Sequence, residues 1–244
     1  MRALRWIADR GRPGHHDNNE KELPITEAAS GTYEPGYFET RLAHNPARSD
    51  VWRHLGIYFQ QWVAADASVL ELGAGWCDFS NEISAARVVA MDLDDIVERK
   101  AGEHVEAVVG DCTDLSRFEE NSFDVVFASN LLEHLERSQT NQLVDGVLRV
   151  LRPGGRLILM QPNFRLAPKR YFDDYTHVAI FTDQSLSDYL TSRGLHIETV
   201  KARFMPLTMK SSASRLSFLV PWYLRSPIKP LAGQMLVVAR TSTP

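Results

Sequence analysis

The side chains best suited to chemistry fall in four ordered stretches. Glu71, Gly73 and Gly75 lie in VLELGAGWCDF (69–79), Asp92 and Leu93 in VVAMDLDD (88–95), Asp111 and Cys112 in VVGDCTDL (108–115), and Asn130, Glu133 and His134 in FDVVFASNLLEHL (123–135). Two glycines one residue apart permit a tight turn and let the backbone approach a ligand closely. The unpaired N–H groups of a helix starting there would favour a negative group such as a carboxylate. Glu71 sits at a strand end, where a carboxylate is costly to bury without a cationic or hydrogen-bonding partner. A nucleotide-like cofactor bearing an amino group would supply one. A dinucleotide fingerprint needs a third glycine three positions after the second, and Asp78 stands there, which argues against NAD. Asp92 lies about 20 residues past the turn, the reach of a ribose-hydroxyl acceptor. Histidine titrates near neutrality, so His134, and His177 in Asp-Asp-Tyr-Thr-His (173–177), are candidate bases for an acceptor hydroxyl.

These residues need a scaffold that brings strand ends together. Apolar runs alternate with helical periodicity, the pattern of a parallel sheet covered on both faces. The predicted strands are 68–72, 88–92, about 105–109, 123–128, 156–160, 197–204 and 234–240. Val51, Leu55, Tyr58 and Trp62 mark a first helix that Ser49 or Asp50 could cap. Leu143, Val147 and Leu151 mark another, stopped by Arg152-Pro153-Gly154-Gly155, and a third spans about 183–192 with Gly194 as its left-handed cap. Residues 1–46 read as an N-terminal arm without sustained periodicity. Residues 47–244 read as the main domain, with a basic and aromatic insertion at 205–233.

With 244 residues, 44% of them hydrophobic, the chain can bury one sizeable core. The formal charge of −4 hides an asymmetry: all 31 acids lie at or before Glu198, and the last 46 residues hold 7 Lys or Arg and no acid. That end suits an anionic partner. Two cysteines make neither a disulfide framework nor a metal quartet. No secretory apolar run follows Met-Arg-Ala-Leu-Arg-Trp, so the expected location is cytoplasmic, with peripheral membrane contact through 201–229.

On those four stretches the chain resembles class I S-adenosylmethionine-dependent methyltransferases. The resemblance implies an α/β fold: a Rossmann-like seven-stranded sheet, mostly parallel with strand 7 antiparallel, and helices on both faces. It implies S-adenosylmethionine as cofactor, with Glu71 near the ammonium and Gly73 and Gly75 along the methionine part. Asp92 then meets the ribose with Leu93 beside it as a further cofactor-binding residue, Asp111 the adenine amino group, Cys112 the ring through its N–H, and Asn130 the methionine moiety. By the same resemblance residues 1–46 become an arm and lid segment with Tyr37 and Arg41 as candidate cofactor contacts. Some ubiquinone-pathway and small-RNA methyltransferases add Glu-x-x-Glu-His and a later histidine as ligands for a divalent metal. Here Asn130 replaces the first glutamate, which weakens a metal reading of Glu133, His134 and His177 and favours a helix turn oriented by hydrogen bonds.

The lead-in at Tyr37, the DDYTH segment and the basic ending look like methyltransferases found with bacterial polysaccharide and glycolipid assembly. The expected reaction is O-methylation of a small molecule or of a sugar or glycan hydroxyl, on an anionic or lipid-linked carrier. The acidic body and the short, proline-broken basic stretch argue against nucleic acid. Two other classes stay open: a non-catalytic cofactor-binding adaptor, and an RNA or protein methyltransferase. The intact set of acids and glycines weighs against the first, and Asn130-Leu131-Leu132-Glu133 in place of an Asn-Pro-Pro-Tyr loop against the second.

Overall fold

The computed structural model describes residues 46–206 and 217–243. Tyr37 and Arg41, expected at the cofactor, and Lys210 and Arg215 of the insertion lie outside the described residues, as does the arm up to residue 45.

Runs rich in Val, Leu and Ile and buried on both sides must lie inside a sheet. Strands β1 (Ser68–Leu72), β2 (Arg87–Asp92), β3 (Val105–Val109), β4 (Phe123–Ser129), β5 (Leu151–Pro162), β6 (His196–Lys201) and β7 (Gln234–Arg240) form one seven-stranded sheet in the order β3-β2-β1-β4-β5-β7-β6. Neighbours pair in parallel from β3 through β5, and β7 runs antiparallel to both β5 and β6. The expected Rossmann-like architecture is therefore present. The strand order turns from one side to the other between β1 and β4, so the crevice beyond their carboxyl ends is where such sheets receive ligands.

Helices α1 (Pro46–Phe59), α2 (Ile96–Lys100), α3 (Arg137–Val150), α4 (Pro168–Tyr171), α5 (Asp183–Ser192) and α6 (Val220–Arg225) accompany the strands. The period of two along β1 separates two cores. Leu70 and Leu72 pack with Leu143 and Val147 of α3 and Leu186 of α5. Val69 points the other way, among Trp52, Leu55 and Phe59 of α1 and Val220 and Leu224 of α6. Phe79 and Phe127 stack at 3.8 Å in this second core, which pins the end of the glycine loop to β4. Each fully buried Leu or Phe contributes about 1.5–3 kcal/mol. A capping box of Thr182 and Ser185 starts α5, and Gly194 follows it with φ +86° as expected.

Four local expectations are corrected. Helix α1 begins at Pro46, so Ser49 and Asp50 lie inside it, and Asp50 pairs with Arg53 at 3.0 Å. No α-helix opens after Gly75. The chain makes turns and a three-residue 3-10 segment, Ser80–Glu82, because Cys77 sits at φ +55°, a conformation through which a right-handed helix cannot run. Strand β5 starts at Leu151, five residues early: Leu151 pairs with Phe123, and a bulge between Phe123 and Val125 absorbs Pro153–Gly155 within the strand. Strand β6 stops at Lys201, and Phe204 and Met205 turn into the second core instead of facing an interface.

Candidate functional site

The carboxyl ends of β1, β2, β3 and β4 carry the sequence-predicted residues in two groups. The first is the glycine loop and the acids around it. Gly73 and Gly75 adopt φ +67° and +49°, which only glycine takes without strain. A Cβ on Gly73 would come within 3.0 Å of Leu131 Cδ1, so the loop also needs a bare Cα for space. Asp92 holds the loop from the neighbouring strand: its carboxylate accepts from Gly75 N–H at 2.7 Å and from Asp94 N–H at 2.9 Å. Leu93 between them is half-buried. Gly110 N–H donates to the Asp92 carbonyl at 2.8 Å, which ties the β3 loop to β2. Beyond it Asp111 accepts from the Thr113 N–H and hydroxyl, both at 2.8 Å. The loops after β1 and β2 are thus joined through the Asp92 side chain, and those after β2 and β3 through the backbone of Asp92 and Gly110.

Glu71 lies at the end of β1, where its carboxylate meets a partner from the chain itself. It is buried, and Ser80 donates to its carboxylate from both N–H, at 3.0 Å, and hydroxyl. The partner demanded by burial is therefore within the chain. Burial still dominates and lifts the Glu71 carboxyl to about 8, against the Ser80 hydrogen bonds that favour the charged form. Cys112 is half-buried and its thiol is pushed up to about 12 by burial and by Asp111 and Asp92. Burial likewise raises the Cys77 thiol, so neither cysteine is poised as a nucleophile. Trp76, large for its place in the loop, receives Lys100 over its ring at 4.9 Å.

The second group follows β4. Asn130 adopts φ +50°, tolerable for asparagine, and its side-chain Oδ1 accepts from Gln234 Nε2 at 2.8 Å. Leu132–His134 form a 3-10 turn in place of a longer helix. The Glu133 carbonyl accepts from Val178 N–H at 2.8 Å and Ala179 N–H at 3.1 Å, which clamps the β5–α5 connection onto this turn. His134 and His177 come together there with ring centroids 4.9 Å apart, and Tyr171 packs edge-on against His177 at 4.8 Å. Thr176 Oγ lies 3.0 Å from His134 Nδ1 and donates to Asp174 at 2.6 Å, which fixes the imidazole's orientation.

Glu133 completes this group. Its side chain is 1% exposed, and both carboxylate oxygens lack a hydrogen-bond partner among the described residues. Burial raises the carboxyl to about 8. One ligand atom from each of Glu133, His134 and His177 lies within 4.8 Å of the others, the arrangement and mixed donor set that a divalent cation accepts.

Three contributors escaped the sequence reading. Gln161 and Gln234 sit buried at the ends of β5 and β7. Gln161 Oε1 accepts from Leu131 N–H at 3.2 Å, and Gln161 Nε2 and Gln234 Oε1 remain without partners among the described residues. A single amide in the run Arg-Leu-Ile-Leu-Met-Gln-Pro was the available signal. Ser80 carried none. At the opposite, amino end of the sheet a cavity of about 220 Å³ is lined by Trp62, Asp124 and Arg152. Asp124 there is already engaged by Ser68 N–H at 2.8 Å and by Arg152.

Residues 70–159 match the family model of a methyltransferase domain, a stretch from β1 into β5 that holds both groups except His177. Phosphoethanolamine N-methyltransferase 1 of Triticum aestivum is 32% identical over 110 residues, 41% of this chain and 22% of that protein. A ubiquinone/menaquinone biosynthesis C-methyltransferase of Hahella chejuensis is 26% identical over 185 residues, 66% of this chain and 72% of that one. The chain thus spans about a fifth of the wheat relative's length. Among solved structures, an S-adenosylmethionine-dependent methyltransferase of Archaeoglobus fulgidus superposes with a TM-score of 0.60 at 17% identity, covering 86% of this chain and 100% of that one. At that identity the likeness concerns the fold.

Proposed function

We propose that the chain is an S-adenosylmethionine-dependent methyltransferase that methylates a hydroxyl of a small-molecule acceptor, with sugar and glycan hydroxyls as the first candidates. The observation that carries the reading is the meeting, at one end of the sheet, of an interlocked glycine loop with Asp92 and Asp111 and a paired His134 and His177. The sulfonium methyl is an electrophile, so the protein has to align an acceptor oxygen with it and exclude water. Gly73 and Gly75 give the methionine part access to backbone, Asp92 with Leu93 meets the ribose side, and Asp111 with Cys112 N–H meets the adenine. Asn130, held by Gln234, orients the methionine end. Glu71 acts through Ser80 as a support of the loop.

S-adenosylmethionine held there would supply an electrophilic methyl group, and the imidazole of His134 or His177 would take the proton of the acceptor hydroxyl that receives it. Orientation of His134 by Thr176 and Asp174 suits a base that must face one way. The carboxylate of Glu133, without a hydrogen-bond partner among the described residues and 3.9 Å from His134 Nε2, favours a second role for the same cluster: with His134 and His177 it would hold a divalent cation, which would acidify an acceptor hydroxyl.

The test is transfer of labelled methyl from S-adenosylmethionine to a panel of sugars, nucleotide sugars, phosphoethanolamine and hydroquinones, with and without divalent ions. Methyl ether formation is expected. Label on nitrogen or carbon would overturn the hydroxyl assignment and leave the cofactor reading standing. Failure to bind the cofactor would overturn both.

A further inference from the structure

The β6–β7 connection leaves and rejoins the sheet at its carboxyl end, because β6 runs with β1–β5 and β7 returns against them. It therefore stands at the same end as the candidate site. Its described part, 217–231, divides into an inner and an outer side. Val220 and Leu224, one helical turn apart on α6, enter the second core, and α6 packs on α1. Phe218 and Trp222, likewise one turn apart, are 63% and 74% exposed. The following loop folds back on α6: Tyr223 hydroxyl donates to the Pro230 carbonyl at 3.0 Å, and Lys229 lies over the Tyr223 ring at 4.8 Å. Ile228 and Leu231 are thereby presented at 75% and 89% exposure.

Leu231 also has φ +58°, a conformation that disfavours any residue with a branched side chain. A leucine held in such a conformation with its side chain in solvent gains nothing from packing within the described chain, and strain of this kind clusters at functional surfaces. The charge along the segment itself has one sign. Arg203 and Arg225 are exposed, and no acid occurs in the sequence after Glu198. Another exposed apolar stretch, Phe172 to Ile180, carries Asp173, Asp174 and His177 and is clamped to the Glu133 carbonyl, so it belongs to the candidate site.

We propose that residues 217–231 form a docking face for an anionic lipid bilayer, which sets the carboxyl end of the sheet toward the membrane surface. Trp, Phe, Ile and Leu side chains enter the acyl boundary while Arg225 and its basic neighbours meet lipid phosphates, the division of labour of interfacial helices. None of the helices among the described residues is long and apolar enough to cross a membrane, so contact of this kind is from one side. The inference does not depend on which acceptor is methylated.

The experiment is co-sedimentation of the full chain with vesicles of phosphatidylcholine alone or mixed with phosphatidylglycerol, alongside tryptophan emission. Binding to the mixed vesicles, weakened by salt, is expected. Arg225→Gln should weaken it about fivefold, as expected for a basic residue near an anionic surface, and Trp222→Ser about tenfold or more, both with unchanged melting. Both side chains are exposed, so neither change should unfold the chain. Absence of binding to the mixed vesicles, equal binding by both variants, or a concentration-dependent dimer abolished by Trp222→Ser would overturn the proposal, the last in favour of a second copy as the occupant.

Discussion

The two groups at the carboxyl end of the sheet differ in how far they are finished. Around the glycine loop each buried acid has its donors: Asp92 takes Gly75 and Asp94 N–H groups, and Glu71 takes Ser80. After β4, the equally buried Glu133 has none for its carboxylate, and Gln161 and Gln234 each leave one polar atom unpaired among the described residues. Buried polar groups are normally satisfied, and those that are not mark places where something else belongs. The loop side is built to be rigid before any ligand arrives. The histidine side keeps hydrogen-bonding capacity for a reactant, a water or an ion.

Substitutions on the two sides should therefore fail differently. His134→Ala should lower kcat about 100-fold or more, the usual worth of a positioned base, while S-adenosylmethionine affinity stays within a factor of about two. Loss of both together would erase the distinction between the sides. Asp92→Ala should do the reverse, weakening cofactor binding about 100-fold in calorimetry, since it frees the Gly75 N–H and removes a candidate ribose acceptor together.

Glu133 allows a test by pH. Its carboxyl ionises near 8 in the fold against 4.5 in the unfolded chain, so the fold holds the proton that the unfolded chain has already released. Stability should fall as pH rises from about 4.5 to about 8, and Glu133→Gln, which cannot ionise, should remove on the order of 1–3 kcal/mol of that fall. Melting curves at pH 6 and 8 check it; identical pH dependence in the two proteins would contradict the burial argument. If a divalent ion binds here, its affinity must rise over the same pH range. The smallest effect expected is at the seam between the two sides. Gly73→Ala meets both a positive φ and Leu131 at 3.0 Å, and should cost about 1–2 kcal/mol by thermal melting.

Strands were the legible part of the sequence. The predicted bounds of β1, β3 and β7 coincide with those observed, because buried apolar runs between turn residues leave few alternatives. The four motifs also stand at strand ends, as their order demanded. What the sequence did not reveal depends on backbone conformation or long-range pairing. Cys77 looks like an ordinary helix residue, yet its positive φ replaces the expected helix start with turns. Leu151 looked like the end of a helix, and only its pairing with Phe123 makes it the start of β5. In the candidate site, Glu71 and Asp92 stand out in the sequence by type and position, but the Ser80 partner of Glu71 lies nine residues on in a segment with no distinguishing pattern. His134 and His177 read as alternative bases and, through the family resemblance, as members of one ligand set with Glu133. Their convergence rests on the backbone clamp from Glu133 to Val178 and Ala179, which no spacing rule encodes.

The most direct test of a finished loop beside an unfinished histidine cluster is calorimetric titration of the metal-stripped full chain with S-adenosylmethionine in the presence of a chelator. Saturable one-to-one binding without acceptor or metal, weakened about 100-fold in Asp92→Ala and retained in Glu133→Gln, is the expected result. Binding that appears only when a divalent ion or an acceptor is added would contradict it, because the loop side would then depend on the histidine side for its completion.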